Sequence, residues 1–124
     1  MDKVLKVGIA DMKITRAPGS LITYALGSCI GICLYDPRIK LAGMIHIMLP
    51  SIPPGASDNI LKYADSGIPE ILRKMEAFGA SRSRITAKIA GGAKMFNIPG
   101  DSAMGNIGIR NAESVKKTLQ KYQI

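Results

Sequence analysis

The chain has 124 residues, of which 47% are hydrophobic, 21% charged and 5% aromatic, and 17 Lys and Arg against 9 Asp and Glu give a net charge of +8. This length suits one domain with its own core, and two cysteines are too few for a disulfide scaffold. The longest apolar run, residues 41–50, is far shorter than the ~20 residues of a membrane span, no secretory signal is visible, and aromatic residues do not interleave with the basic ones as in a single-strand nucleic-acid binder. We therefore expect a cytoplasmic protein without membrane insertion or a nucleic-acid partner, whose positive face is either solvated or meets an acidic protein.

Four β-strands are predicted in the first half of the chain. Apolar segments bounded by turn residues indicate them, at residues 3–10, 20–26, 29–35 and 40–49. The fourth is apolar on both faces, which is typical of a central strand. Residues 50–58 are rich in proline, glycine and serine, and this composition predicts a loop.

An amphipathic helix is predicted next. Its apolar side chains recur at helical spacing and are expected to face one side: Leu61, Ala64, Ile68, Ile71, Leu72, Met75 and Phe78. Proline is tolerated in the first turn of a helix, so Pro69 predicts either a start near Asp65 and Ser66 or a kink there. Gly79 is expected to end the helix.

The last part of the chain predicts a strand and a second helix. The strand covers residues 84–90, and the helix is capped by Asn106 or Asn111. Its apolar stripe consists of Ala112, Val115, Leu119 and Tyr122. Strands and helices are mixed without strict alternation, and the central hairpin favours an α/β (α+β) domain with a largely antiparallel sheet and two main helices.

Cys29 and His46 become candidates for catalysis once the central hairpin is considered. Each alone is more often a buried core residue than a functional one. A four-residue loop over residues 36–39 would place Tyr35 opposite Lys40, and the same register would place Cys29 opposite His46 on one face. A slip of one residue would separate them onto opposite faces. Cys33 is predicted to be an ordinary core residue.

The Cys29–His46 pair suggests a thiol nucleophile. Beside a histidine, a cysteine can exist as a thiolate–imidazolium pair that attacks a carbonyl and then protonates a departing amine. The Thr23 hydroxyl on the preceding strand is a candidate third group, although an ordinary β-branched strand residue is the simpler interpretation. The backbone N–H groups of Ser28 and Cys29 are candidate donors to an oxyanion.

Two glycine-containing stretches do not predict a phosphate site. Residues 90–94 lack the spacing of a phosphate-binding loop, and in residues 100–106 Asn106 stands where that loop requires lysine. One histidine with two cysteines is a weak set of metal ligands. We predict no metal and no cofactor.

Five short motifs in order resemble the chemoreceptor glutamine deamidase family CheD. They are Leu26-Gly27-Ser28-Cys29, His46-x-Met48-Leu49-Pro50, Lys62-Tyr63-Ala64-Asp65, Lys88-Ile89-Ala90-Gly91-Gly92-Ala93-x-Met95-Phe96 and Asn106-Ile107-Gly108-x-Arg110-Asn111. The resemblance implies a cysteine hydrolase that converts glutamine side chains of methyl-accepting chemotaxis receptors to glutamate and releases ammonia. It carries the family's catalytic residues onto Cys29, His46 and Thr23.

The same resemblance implies a fold and partners. The fold is a layered α/β/β sandwich, and a CheC-type phosphatase is expected to bind and inhibit the deamidase. A substrate or partner surface is expected at Gly91, Gly92, Met95 and Phe96. Because the family's chains continue into terminal strands, residues 1–124 are expected to form one deamidase domain without those strands. The alternative interpretation is a non-catalytic module that regulates the phosphatase.

Overall fold

The computed structural model describes residues 3–56, 58–93 and 106–124. Within these ranges the strands are β1 (Val4–Val7), β2 (Asp11–Arg16), β3 (Ser20–Thr23), β4 (Ile30–Asp36), β5 (Leu41–Ile47) and β6 (Thr86–Gly91). The α-helices are α1 (Ala64–Ala77), which follows a short 3-10 turn at Ile60–Lys62, and α2 (Ile107–Lys121). In the described ranges, neither helix has the length and apolar character needed to cross a membrane.

The strands form two sheets. In the larger sheet β2, β5, β4 and β6 are antiparallel neighbours in that order, whereas β1 pairs with β3 in a parallel two-stranded sheet. β5 lies between β2 and β4, which confirms the prediction of a central strand. Hydrogen bonds to a neighbour on each side therefore hold the strand that carries His46.

The two sheets and the helices form three layers. Side chains alternate across a strand, so Ile45 and Ile47 of β5 face α1 and α2 and are fully buried. Gly43 shares this face, and a Cβ there would lie 2.8 Å from the Met75 sulfur of α1. The β1–β3 sheet packs against β2 and β5. This arrangement confirms the predicted layered α+β fold.

Several elements differ from the predictions. β2 was not predicted, although Met12 and Ile14 alternate with polar residues in the pattern of a half-buried strand. α1 begins at Ala64, one residue before the predicted start, and Pro69 is its sixth residue rather than part of its first turn. The assignment of Phe78 to the apolar face was wrong, because this residue follows the last turn and is 54% exposed.

The register of the central hairpin also differs from the prediction. Asp36 pairs with Leu41, and His46 faces Gly31 rather than Cys29. Strand pairing continues through Asp36, and Lys40 takes a left-handed backbone conformation (φ 53°) before β5 begins. The loop thus moves by one residue, which shifts the pairing by two and preserves which residues share a face.

The prediction that Cys33 belongs to the core was wrong. Cys33 points to the face of β4 opposite the helices, where its partner on β5 is Met44. The side chain is exposed, because the smaller sheet packs mainly over β2 and β5. The two cysteines therefore lie in different surroundings.

Candidate active site

Thr23 and His46 are in direct contact between the two sheets. The Thr23 hydroxyl oxygen lies 2.8 Å from Nδ1 of His46 and 2.7 Å from the carbonyl oxygen of Val7. Thr23 ends β3, Val7 ends the neighbouring β1, and the two residues are paired in register. His46 is fully buried on the face of β5 that looks towards them. The packing of one sheet on the other therefore brings the hydroxyl to the imidazole.

The hydrogen bonds around Thr23 determine the tautomer of His46. A hydroxyl has one proton, and a carbonyl oxygen can only accept, so Thr23 donates to Val7. The hydroxyl oxygen must then accept from the protonated Nδ1 of His46. Nε2 keeps its lone pair, and it is buried without a hydrogen-bond partner among the described residues. An unprotonated nitrogen of this kind is what a general base requires.

Gly31 leaves room for Leu26 and Thr23 on the face of β4 that it shares with His46. It lies opposite His46 on β4, and a Cβ at this position would approach the side chain of Leu26 to 3.2 Å and that of Thr23 to 3.4 Å. The first distance is tighter than an ordinary van der Waals contact, and the second is at the lower limit of one. A larger residue would therefore crowd Leu26 and press against Thr23, which contacts His46.

Cys29 is a diagonal neighbour of His46. It directly precedes β4, two residues before Gly31, so strand alternation assigns it to the same face as His46. Diagonal positions of this type are about 7–8 Å apart, which is within reach of longer side chains. The Cys29 side chain is half-buried. No hydrogen bond joins its sulfur to Nε2 within the described part of the chain.

Burial sets the charge state of both groups. It raises the pKa of the Cys29 thiol above its ordinary value, and the backbone N–H of Cys29 offsets only part of that effect. Burial also lowers the pKa of His46. Both directions favour a neutral thiol beside a neutral imidazole near pH 7. This differs from the thiolate–imidazolium pair expected from the sequence, because that expectation took no account of desolvation.

We call residues 27–29 the cysteine turn. Each of its three carbonyl groups accepts a hydrogen bond from a residue far along the chain. Gly27 accepts from the N–H of Ala93, Cys29 from the N–H of Gly92, and Ser28 from the side-chain amide of Asn111, each at 2.9 Å. The donors come from the end of β6 and from α2. The conformation of the cysteine turn is therefore set by segments distant in sequence.

Glycine is required where the end of β6 meets the cysteine turn. Gly91 has a φ of 109°, and a Cβ there would lie 2.0 Å from the carbonyl oxygen of Cys29. Gly92 also has a positive φ, of 77°. Met95 and Phe96 lie outside the described residues, as do residues 100–105, so the predicted substrate or partner surface stays a prediction.

Two contacts of the site were missed by the sequence analysis. The Val7 carbonyl carries no side-chain signal that could have been used. Asn111 was considered only as a helix cap, although it falls on the apolar stripe of α2, three residues after Gly108 and four before Val115. A polar residue on a buried stripe is the signal that would have marked it.

Two further features bear on what the site can hold. A groove of about 300 Å³ adjoins Val7 and is lined by Lys6, Val7, Gly8, Ile9, Tyr24 and Ala25. It leads from the surface to the strand ends that hold Thr23.

Within residues 3–56, 58–93 and 106–124, no three histidine, cysteine or carboxylate side chains are grouped as metal ligands would be.

Comparison with known proteins identifies a family. Residues 48–124 match the family described as CheD chemotactic sensory transduction, a match that starts after both Cys29 and His46. A Syntrophomonas wolfei protein named "Probable chemoreceptor glutamine deamidase CheD" is 51% identical over all of this chain and 78% of its own length. Relatives with the same name from Lachnoclostridium phytofermentans and Clostridium botulinum are 46% and 50% identical, over 78% and 75% of their lengths and 100% and 97% of this chain. The resemblance based on five motifs is confirmed.

Proposed function

We propose, because the chain belongs to the CheD family, that it deamidates glutamine side chains of methyl-accepting chemotaxis receptors through a thioester on Cys29. The names of the relatives support the activity and the substrate class. The observation that carries the assignment of residues is the hydrogen-bond chain from Val7 through Thr23 to His46, which leaves Nε2 unprotonated on the face to which strand alternation assigns Cys29.

In the first half-reaction the amide is exchanged for a thioester. Nε2 of His46 takes the thiol proton as the Cys29 sulfur attacks the carboxamide carbon of the glutamine. The backbone N–H groups of Ser28 and Cys29 hold the oxygen that becomes negative. The C–N bond then breaks, and the imidazolium returns the proton to the leaving nitrogen, so that ammonia departs.

In the second half-reaction water replaces the thiol. His46, again neutral, removes a proton from a water molecule that attacks the thioester carbon, and the C–S bond breaks as the imidazolium passes that proton to the departing sulfur. The products are glutamate and the free thiol of Cys29. Thr23 acts throughout as a positioning residue, because its acceptor oxygen keeps the proton of the imidazole on Nδ1.

The two cysteines provide a matched test of the nucleophile. We expect Cys29→Ala to lower the rate of ammonia release from receptor fragments by about a thousandfold or more, because the proposed thioester forms on the Cys29 sulfur. Cys33→Ala, which removes an exposed thiol on β4, leaves the rate near that of the wild type. Undiminished turnover by Cys29→Ala would exclude the mechanism and favour the non-catalytic interpretation.

The same assay tests the role of Thr23. Thr23→Val keeps the shape of the side chain but removes the acceptor from Nδ1, and we expect kcat to fall about tenfold or more. Thr23→Ser keeps the hydroxyl and is expected to restore most of this loss. Equal effects of the two substitutions would mean that Thr23 acts only through packing.

We also propose the single-domain organisation, the cytoplasmic location and a CheC-type phosphatase as partner. One hydrophobic core joins both helices to the larger sheet in the described residues, which supports a single domain. Family membership supports the location and the partner. Titration calorimetry with a purified CheC-type phosphatase tests the partner, and absence of binding at micromolar concentrations would remove it.

A further inference from the structure

We propose that Asn111 is a positioning residue that orients the backbone N–H of Cys29 by holding the carbonyl group of Ser28. This inference rests on the proposed function, because it assigns to Asn111 the task of aligning the proposed oxyanion donor. Asn111 lies on α2, 82 residues after Cys29, and its amide donates to backbone carbonyls rather than to the reacting atoms.

The amide of Asn111 joins the two strands that carry the proposed catalytic pair. The side chain is fully buried. Its Nδ2 donates to the carbonyl oxygens of Ser28 and Met48, each at 2.9 Å. Ser28 immediately precedes Cys29, and Met48 follows His46 by two residues. One side chain therefore sets the spacing between the start of β4 and the end of β5.

The orientation of this amide follows from its partners. Both carbonyl oxygens are acceptors, so only the NH₂ group can face them, and a flipped amide would place three oxygens together. In this orientation Oδ1 is buried and has no hydrogen-bond partner among the described residues. The side chain thus uses its NH₂ group to bind the carbonyls next to both strands, so the amide holds these two carbonyl groups in place.

Holding a carbonyl group also orients the N–H group of the same peptide. In a trans peptide the C=O and the following N–H point in opposite directions. The carbonyl of Ser28 points at Asn111, so the N–H of Cys29 points away from α2. The carbonyl of Gly27 points at the N–H of Ala93, so the N–H of Ser28 points away from Ala93. These are the two donors assigned to the oxyanion.

Three hydrogen bonds attach the cysteine turn to the residues described above. Asn111 donates one of them from its side chain, and the backbone N–H groups of Gly92 and Ala93, which directly follow β6, donate the other two. Substitution at Asn111 can therefore remove one attachment without altering the backbone. Gly108, one turn earlier, allows α2 to come close enough, because a Cβ there would lie 2.2 Å from the carbonyl oxygen of Ala93. Ser114, one turn later, provides a control, since its hydroxyl donates at 2.6 Å to the carbonyl of Pro50, outside the cysteine turn.

The test compares two reactions of the same thiol. Deamidation develops an oxyanion, whereas alkylation of Cys29 by iodoacetamide displaces iodide and develops none. We expect Asn111→Leu to lower kcat for ammonia release by about 10- to 100-fold with a small change in KM. The alkylation rate is expected to stay within roughly twofold of the wild type, since no oxyanion donor takes part. Ser114→Ala, which removes the hydrogen bond from α2 to the carbonyl of Pro50, leaves kcat near that of the wild type.

A second measurement does not depend on activity. Amide hydrogen exchange by NMR follows the N–H groups of Gly92 and Ala93, which donate to the cysteine turn. We expect both to exchange at least several-fold faster in Asn111→Leu and not in Ser114→Ala, because a loosened turn exposes these bonds to solvent. Asn111→Ser, whose side chain is too short to bridge both carbonyls, is expected to show the same changes and covers the case in which the leucine variant does not fold.

The outcomes separate this inference from the proposed function. Unchanged kcat in the Asn111 variants, or equal losses of kcat and of alkylation, would overturn the orienting role. Unchanged exchange at Gly92 and Ala93 would overturn the attachment itself, whatever the activity. If Cys29→Ala remained active while exchange responded to Asn111, the attachment would stand and the proposed oxyanion role would fall with the mechanism.

Discussion

The hydroxyl proton of Thr23 determines which tautomer His46 adopts. Because that proton is donated to Val7, the imidazole is held with Nδ1 protonated and Nε2 free to accept. Asp11 lies opposite His46 on β2, but its carboxylate binds the backbone N–H of Gly8 and the ammonium of Lys13. The imidazole is therefore oriented by a neutral group, which leaves burial as the cause of its lowered pKa.

This arrangement predicts the pH dependence of catalysis. Protonation of His46 removes the base, and burial lowers the pKa of His46 from the ordinary 6.5. We therefore expect kcat/KM for ammonia release to fall on the acid side with a midpoint below pH 6.5. An enzyme that rested as a thiolate–imidazolium pair would lose activity at high pH as well, as its imidazolium lost the proton, and would show a bell-shaped profile.

Iodoacetamide provides the independent check on the thiol. Burial raises the pKa of Cys29 above 9.0, so the rate of alkylation should still be rising at pH 9. Cys29→Ala identifies the fraction of alkylation that belongs to this residue. A plateau in the Cys29 rate near neutral pH would contradict the neutral resting pair.

Among the elements, the end of β6 has the strongest influence on the site. It supplies two backbone donors to the cysteine turn, and positive φ values at Gly91 and Gly92 turn the chain towards that turn. α2 then packs against the same segment through Gly108 and adds Asn111. The geometry around Cys29 thus depends on elements that follow it by more than 60 residues.

Gly91→Ala tests this dependence. The new Cβ would collide with the Cys29 carbonyl, and the positive φ adds strain of about 1–3 kcal/mol to the native state. We expect a lower free energy of unfolding in urea and a loss of most of kcat, because Cys29 has to move. Gly55→Ala is the matched control, since Gly55 also has a positive φ (76°) but nothing lies within 4 Å of its Cβ position. Similar losses of kcat in both variants would show that contact with Cys29 is unimportant.

At the scale of the whole molecule, Asp36 ties the larger sheet to the segment that joins α1 and β6. It is fully buried and accepts hydrogen bonds from the Arg84 guanidinium and from the N–H groups of Ser81 and Arg38. Hydrogen bonding to Arg84 is the main cause that lowers the pKa of Asp36 from 3.8 to about 2. The folded state therefore binds this proton more weakly than the unfolded state.

The consequence is a defined loss of stability in acid. The contribution of Asp36 is complete only above about pH 5, falls as the unfolded chain takes up the proton around its pKa of 3.8, and is largely gone once pH passes below about 2. In Arg84→Gln the main cause is removed and the folded-state pKa of Asp36 moves back towards 3.8, so urea unfolding measured at a series of pH values should show a smaller loss of stability in acid, which ends at a higher pH. Arg73→Gln is the control, because it removes a surface ion pair with Glu70. The same pH profile in the two variants would contradict the assignment.

The sequence predicted correctly the features that depend on neighbouring residues and failed for features that depend on contacts between residues far apart along the chain. Local patterns were enough for the two helices and for the central position of β5. The hairpin register was wrong by two residues, because its loop is set partly by the contact of Asp36 with Arg84, 48 residues later. Cys33 was wrongly assigned to the core, since only tertiary packing decides which part of a sheet the smaller sheet covers.

The sequence by itself determined the family, the layered fold and the choice of Cys29, His46 and Thr23 as candidates, because these follow from motif order, hydrophobic periodicity and residue chemistry. Only the tertiary structure decided which nitrogen of His46 keeps its lone pair, which charge states burial favours, and that Asn111 reaches the cysteine turn. Those features depend on the distances between groups far apart along the chain and on their removal from water. No local pattern records either quantity.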